Sequence, residues 1–317
     1  MTAIILALLI GIVCGALKFL PKQITDRASK FTMMGVVALI GSMGAKIGLD
    51  PKLMANFALF GGQALVLALC AVGGSVLVVV FFERWLFGEV ANSQENVQEQ
   101  ELAQMIHLEE SAHQQLSNAL TYYIIGSLLL GTAAGYWFLP HDVEPYLDTI
   151  TAWALYFMIW AVGLDLGKSG ETLRKVLAVG WKVLLVPLGV VLGSLLGSVL
   201  GGTLLGFPIN ESSAIGAGFG WYSLSGVLLA QIYSVKIGAI AFLSNVFREL
   251  IAVMTIPFLA KKIGPLAAVA PGGATTMDTT LPLIAAAAGN HTALIGFVSG
   301  LTLSSVVPFL IPILIKL

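Results

Sequence analysis

The chain has 317 residues, of which 57% are hydrophobic and only 10% charged, where a soluble domain carries about 25% charge. That balance places it among integral membrane proteins and excludes an ordinary soluble domain. The net charge of -1, without a basic tail, offers no surface for nucleic acid.

A helix needs about 20 apolar residues to cross a bilayer. Eight stretches meet that length: 3–20, 31–48, 57–82, 121–139, 150–166, 181–206, 237–260 and 292–316. The positive residues near the first stretch, Lys18, Lys22, Arg27 and Lys30, come after it. A cleaved signal has the opposite arrangement, so 3–20 reads as a spanning helix with its N-terminus outside. Lys22, Arg27 and Lys30 in one loop, and Lys168, Arg174, Lys175 and Lys182 in another, place both in the cytoplasm. The loop at 140–149 holds His141, Asp142, Glu144 and Asp148 without Lys or Arg, which suits the outside. Lys46 and Lys52 fall on the outer side and run against the rule. Cys14 and Cys70 lie in apolar stretches and read as buried thiols with no redox role.

The chain divides into 1–87, a first unit of three helices; 88–118, a linker; 119–206, a second unit of three; and 207–317, a core unit. The linker carries Glu89, Glu95, Glu99, Glu101, Glu109 and Glu110 and reads as a solvated cytoplasmic stretch. The two three-helix units share marks in order. Phe19-Leu20-Pro21 matches Phe138-Leu139-Pro140, and Gly48-Leu49-Asp50 matches Gly163-Leu164-Asp165. Three crossings return the chain on the other side, so consecutive units lie inverted, a common transporter construction. The plainer alternative is that Gly-Leu-Asp recurs at helix ends by composition, with Asp50 and Asp165 as caps.

Within 207–317, two segments resist a continuous helix. Residues 211–231 contain Gly216-Ala217-Gly218-Phe219-Gly220, and 266–289 contain Pro271-Gly272-Gly273, a Thr-rich run with Asp278, and Pro282. Both are apolar enough to enter the bilayer, and Gly and Pro weaken a helix there. They read as paired discontinuous or re-entrant segments, since broken backbone at membrane depth survives where protein buries it or it lines a wet cavity. The alternative is two ordinary Gly-rich packing helices. The expected fold is therefore all-α and membrane-integral, with about eight spans, two discontinuous segments and inverted repeats.

Arg248 and Glu249 lie side by side inside the apolar stretch 237–260. A charge at the bilayer centre costs about 2.5 kcal/mol or more, so the two mark an ion or substrate path, or pair structurally with other helices. Adjacent helical residues point about 100° apart, so one should face the path and the other a partner helix. Asp278 either lines the path or caps the half-helix after the Gly-Gly break. Carboxylates at membrane depth can take a proton as they release a cationic substrate, while Arg248 stays charged. Half-helix N-termini suit a substrate carboxylate. The candidate substrate- and proton-binding residues are Glu249, Asp278, Arg248, Asn245, Trp221, Tyr222, Ser223, Ser225, Thr275, Thr276 and Thr279. Trp221 and Tyr222 could equally belong to an interfacial belt. No cofactor, metal or catalytic residue is expected; His-Glu-x-x-His and Gly-x-Ser-x-Gly patterns do not occur. The runner-up function is a sodium-coupled symporter of a small carboxylate or other amino acid, with Arg248 on the substrate.

Three runs carry a family resemblance. Gly218-Phe219-Gly220-Trp221-Tyr222-Ser223-Leu224-Ser225-Gly226, then Arg248-Glu249-Leu250-Ile251-Ala252, then Gly273-Ala274-Thr275-Thr276-Met277-Asp278 resemble the bacterial lysine exporter family LysO. The motifs cover about 210–317, and the helix pattern extends the likeness along the chain. The resemblance implies a bacterial inner-membrane protein, both termini outside, that exports L-lysine and thialysine coupled to proton entry. It implies that acids at Glu249 and Asp278 are needed. The linker at 88–118 departs from the family pattern. Lysine or a related cationic amino acid, protons and the bilayer are the expected partners, and a homo-oligomer is compatible with the sequence.

Overall fold

The computed structural model describes residues 2–17, 28–49, 51–86, 126–168 and 181–317. Asp50, the linker at 88–118 and most of the basic loops that set the expected orientation lie outside the described residues. Among the described residues there are helices, turns and connections, and no strand. In chain order the helices are α1 (Thr2–Ala16), α2 (Ala28–Leu49), α3 (Pro51–Ala55), α4 (Phe57–Leu86), α5 (126–137), α6 (Glu144–Lys168), α7 (Leu185–Leu204), α8 (Ile209–Gly216), α9 (Tyr222–Ile232), α10 (Val235–Lys262), α11 (Leu281–Ala288) and α12 (Asn290–Leu314). Four of the described helices are long and apolar enough to cross a membrane: Ala58–Arg84, Leu185–Leu204, Val235–Lys262 and His291–Leu314. In hydrocarbon every backbone polar group must be met inside the chain, which a helix does locally. Hydroxyls follow the same rule: Thr255, Thr302 and Ser305 each donate to the carbonyl four residues back.

The described residues fall into two compact units. The first takes Met1–Phe60, Ala119–Ala178 and Ser223–Phe242. There α1 packs on α6 where Gly11 meets the Trp160 carbonyl and Gly163. The helices α2 and α5 meet along Gly44 and Gly48 on one side and Gly131 and Gly135 on the other. Small residues let backbones approach this closely without a gap, which is how helices gain contact in lipid. Thr151 donates to Ser42 at 2.9 Å within the same unit.

The second unit takes Gly61–Asn118, Val179–Tyr222 and Leu243–Leu317. Contact therefore groups the chain differently from its linear division: α1, α2, α5 and α6 lie in one unit, and α7 with all but the first turn of α4 in the other. The helices α4 and α7 cross at Gly74 and Gly193, where a Cβ on either glycine would strike the other's carbonyl oxygen. Further along, Gly197 and Gly201 meet Cys70, so the two helices run antiparallel. Cys70, like Cys14, is a free thiol and only partly buried. At the far end of α4, the Glu83 carboxylate abuts Gly264 and accepts the Leu266 N–H at 3.4 Å. At the opposite end, the Asn210 side chain donates to the Ile315 carbonyl at 3.2 Å.

Both glycine-rich segments are interrupted. The first has α8, a break at 217–221, then α9. Phe219 is fully buried with φ 48°, and Gly220 follows at φ 95°. A bulky residue in the left-handed region is held there only by its surroundings. The second segment is less regular than the first. A 3-10 turn at Leu266–Ala268 leads through Pro271 and Gly272 to a second 3-10 turn at Gly273–Met277, and only then to α11. Pro271 supplies no N–H and Gly273 takes φ 62°, so an α-helix cannot run through. The two breaks meet: the Phe219 carbonyl accepts the Ala274 N–H at 2.8 Å.

Candidate transport site

One helix organises both breaks. Asn245, Arg248 and Glu249 sit on α10 at spacings that bring them to neighbouring positions around the helix. Asn245 is buried and clamps the first break. Its carbonyl oxygen accepts the Gly220 N–H at 2.6 Å, and its amide donates to the Ile215 carbonyl at 3.3 Å. Gly218 leaves room for that carboxamide.

Arg248 clamps the second break. It is 1% exposed. Its Nε donates to the Pro271 carbonyl at 3.0 Å, and its Nη2 to the Ala270 carbonyl at 3.1 Å. The other contacts are serines: Nη1 to Ser194 at 2.8 Å and Nη2 to Ser75 at 3.2 Å. Those two hydroxyls touch each other at 2.7 Å, and Ser75 also donates to the Ala71 carbonyl at 2.6 Å. One proton order satisfies the whole network: Ser75 gives to Ala71, Ser194 gives to Ser75, and the guanidinium gives to both oxygens. Four of the five guanidinium N–H groups are thus used, and no carboxylate is among the partners. Of the adjacent pair, Arg248 is thus the one that faces partner elements.

Glu249 points elsewhere, as adjacency on a helix requires, and is only partly buried. The Thr279 hydroxyl donates to its carboxylate, and Asp278 lies near enough for the two negative charges to act on each other. Asp278 follows directly on the 3-10 turn, is exposed, and accepts the Thr279 N–H. The break therefore brings together the two acids that the chain separates by 29 positions.

The remaining candidates divide. Thr275 donates to the Gly272 carbonyl at 3.0 Å, and Thr276 contacts the Gly273 and Gly296 carbonyls, each at 2.7 Å. Their hydroxyls are engaged with backbone. Trp221 and Tyr222 are partly buried at the junction of the first break with α9. Ser223 and Ser225 are buried in α9 and belong to the first unit. Ser75 and Ser194 were not among the sequence candidates. A signal for them exists: each follows a glycine, Gly74 or Gly193, and they are separated by 119 residues, the interval between Phe19 and Phe138 in the sequence match.

A family model described as "Lysine exporter LysO" matches residues 125–315. The chain belongs to the LysO lysine exporter family. The match runs from the start of α5 to the end of α12 and so contains both breaks, Asn245, Arg248, Glu249 and Asp278. The chain is 34% identical over 209 residues to a protein of Escherichia coli (strain K12) named lysine exporter LysO, which covers 65% of this chain and 68% of that protein. It is 29% identical over 188 residues to a putative lysine exporter of Haemophilus influenzae, covering 59% of this chain and 94% of the relative. No solved structure matches the chain. Membership of an exporter family and the apolar helices together make it a multi-pass protein of the bacterial inner membrane.

Proposed function

We propose that the chain exports L-lysine, and analogues such as thialysine, from the cytoplasm in exchange for protons, with Glu249 and Asp278 as the groups that bind lysine and proton in turn. The observation that carries this reading is the second break, which presents Asp278 directly after its 3-10 turn, within electrostatic reach of Glu249 on α10, on a chain whose relatives are named lysine exporters. Two carboxylates in one place attract cations, and an ammonium group or a proton can each relieve their mutual repulsion. Asn245, Trp221, Tyr222, Thr275 and Thr276 shape the site around them, and Ser223 and Ser225 stand as further polar candidates in α9. The substrate carboxylate falls to half-helix N–H groups, because Arg248 is already engaged. That engagement disfavours the sodium-coupled carboxylate symporter, which needs Arg248 on the substrate.

The topology we propose has eight spans, inverted repeats and both segments re-entrant, with both termini outside. The reciprocal Gly74–Gly193 crossing and the Ser75–Ser194 pair are what a two-fold relation between α4 and α7 would give. The contacts α1 with α6 and α2 with α5 are likewise exchanged by swapping the repeats. Re-entry is supported by the ends of the long helices. The end of α7 lies toward the start of α4, whereas Gly264 and Leu266 lie at Glu83 near its other end. The helix α10, about 42 Å long at 1.5 Å per residue, accounts for the one net crossing between them. Likewise, the Asn210–Ile315 bond places the end of α12 with the start of α8. Each segment then enters from its own side, and the breaks meet between.

The test is lysine efflux from loaded cells, beside protein abundance, for Glu249→Gln and Asp278→Asn. Amides keep the shape but cannot titrate, so each variant should reach the membrane and lose export. Near-normal export by either removes that residue from the site.

A further inference from the structure

Glu83 is an acid in an apolar helix that the transport site does not use. It stands in the last turn of α4 and is partly buried. Its carboxylate is turned to backbone. It accepts the Leu266 N–H at 3.4 Å, and the Ala267 N–H donates to it as well. These are donors that the start of a helical turn leaves without a partner. Both residues are buried, so without the carboxylate two N–H groups would be stranded. Gly264 completes the fit. A Cβ there would fall 2.6 Å from Glu83 Oε1 and 2.8 Å from Oε2, and the three nearest atoms are all the carboxylate's. The backbone of Gly264 is not left-handed, so this close approach is what calls for a glycine. The same helix holds the segment a second time. Ser75 on α4 binds Arg248, which binds the Ala270 and Pro271 carbonyls. From Ser75 to Glu83 is about 12 Å along a helix. From Leu266 to Pro271 is about 10 Å at the rise of a 3-10 turn. The two ties therefore leave little slack between them. A shift at Leu266 passes to Pro271, and from there to the turn Gly273–Met277 that ends on Asp278.

We propose that Glu83 is a positioning residue for lysine export: its carboxylate ties the entry of the second broken segment to α4 and so fixes the place of Asp278. This rests on the reading above, in which Asp278 binds lysine and proton. The role asks for an acceptor oxygen and not for a titrating group, which separates Glu83 from Glu249 and Asp278. Gly264 serves the same tie by leaving room for the carboxylate.

The experiment uses the purified full-length protein and two readouts. One is amide hydrogen exchange at Leu266 and Ala267. The other is the apparent KM for counterflow of labelled lysine in proteoliposomes, which needs no imposed ion gradient. Glu83→Ala should open the two amides to exchange and raise KM about tenfold, the scale of one hydrogen bond to a charged group, with a far smaller change in maximal rate. Glu83→Gln keeps an acceptor oxygen and should stay close to the unaltered protein in both readouts. Gly264→Ala displaces the carboxylate and should resemble Glu83→Ala. In the double variant the new Cβ has no carboxylate to strike, so Gly264→Ala should add nothing to Glu83→Ala. If Glu83→Ala yields no folded protein, Gly264→Ala and Glu83→Gln decide by the same readouts. Four results each overturn the inference: amides still protected in Glu83→Ala, amides freed at an unchanged KM, additive effects in the double variant, or a Glu83→Gln protein that keeps its amides protected and loses transport. Asp278→Asn separates the inference from the reading beneath it. Counterflow abolished there, beside an unchanged KM in Glu83→Ala, overturns the inference alone. Undiminished counterflow in Asp278→Asn overturns the site reading and the inference with it.

Discussion

Replacing Gly273 with alanine tests the meeting of the two breaks. The residue sits at φ 62°, and a Cβ there would fall inside the 3.0 Å that real Cβ atoms keep from the Phe219 carbonyl oxygen, with the Arg248 Nε at 3.2 Å. The left-handed backbone alone costs an alanine roughly 1–2 kcal/mol. Relief of the clash must part the breaks, and the neighbouring Ala274 N–H to Phe219 carbonyl bond of 2.8 Å goes with it, leaving buried polar groups unmet at about 1–3 kcal/mol. Overpacking adds about 1–3 kcal/mol. The sum is about 3–8 kcal/mol, a large part of a typical folding stability of about 5–15 kcal/mol. Gly289 is the control: its φ is 87°, but nothing lies within 4 Å of its Cβ position, so Gly289→Ala carries the backbone cost alone. Thermal unfolding in detergent, followed by tryptophan fluorescence, should show Gly273→Ala melting on the order of 10 °C lower, with Gly289→Ala much closer to the unaltered protein. If the two alanine variants melt alike, the breaks do not touch as described.

Ser75→Ala and Ser194→Ala should each lower stability by about 1–3 kcal/mol, because each leaves a buried charged donor short of an acceptor. The double variant should cost less than the two singles added, since the hydroxyls share one network, and additive costs in denaturation would dissolve it. In a protein cleared of Cys14 and Cys70, a cysteine at Ser234 should react with an impermeant thiol reagent from outside, and one at Ile263 only from the cytoplasm. The reverse pattern, Ser234 labelled only from the cytoplasm and Ile263 from outside, would rule out re-entry.

The sequence made some parts of this plain and hid others for physical reasons. Apolar length shows a helix wherever backbone must satisfy itself in lipid, so α10 lies within two residues of the stretch 237–260 at each end. Glu249 and Asp278 stand out because charge is costly in apolar surroundings, and the structure brings them together. Arg248 stands out for the same reason, yet its partners do not. Ser75 lies 173 residues away, and a serine beside a glycine looks like any helix contact. Thr275 and Thr276 resemble substrate ligands in the sequence, but the 3-10 turns bring carbonyls within reach of their hydroxyls. The Phe219–Ala274 bond joins two segments whose local signals say only that each is broken. The proposed inverted repeat is visible in short matches because glycine, proline and serine occupy positions that helix crossings restrict, while the apolar residues between them can vary freely.

The central claim is that protons drive lysine through the site at Glu249 and Asp278. Proteoliposomes loaded with labelled lysine and given an imposed pH gradient test it most directly. Efflux should accelerate with the gradient, lose that acceleration with a protonophore, and be absent from Glu249→Gln and Asp278→Asn protein incorporated to the same density. Efflux that follows a sodium gradient and ignores pH would contradict the account.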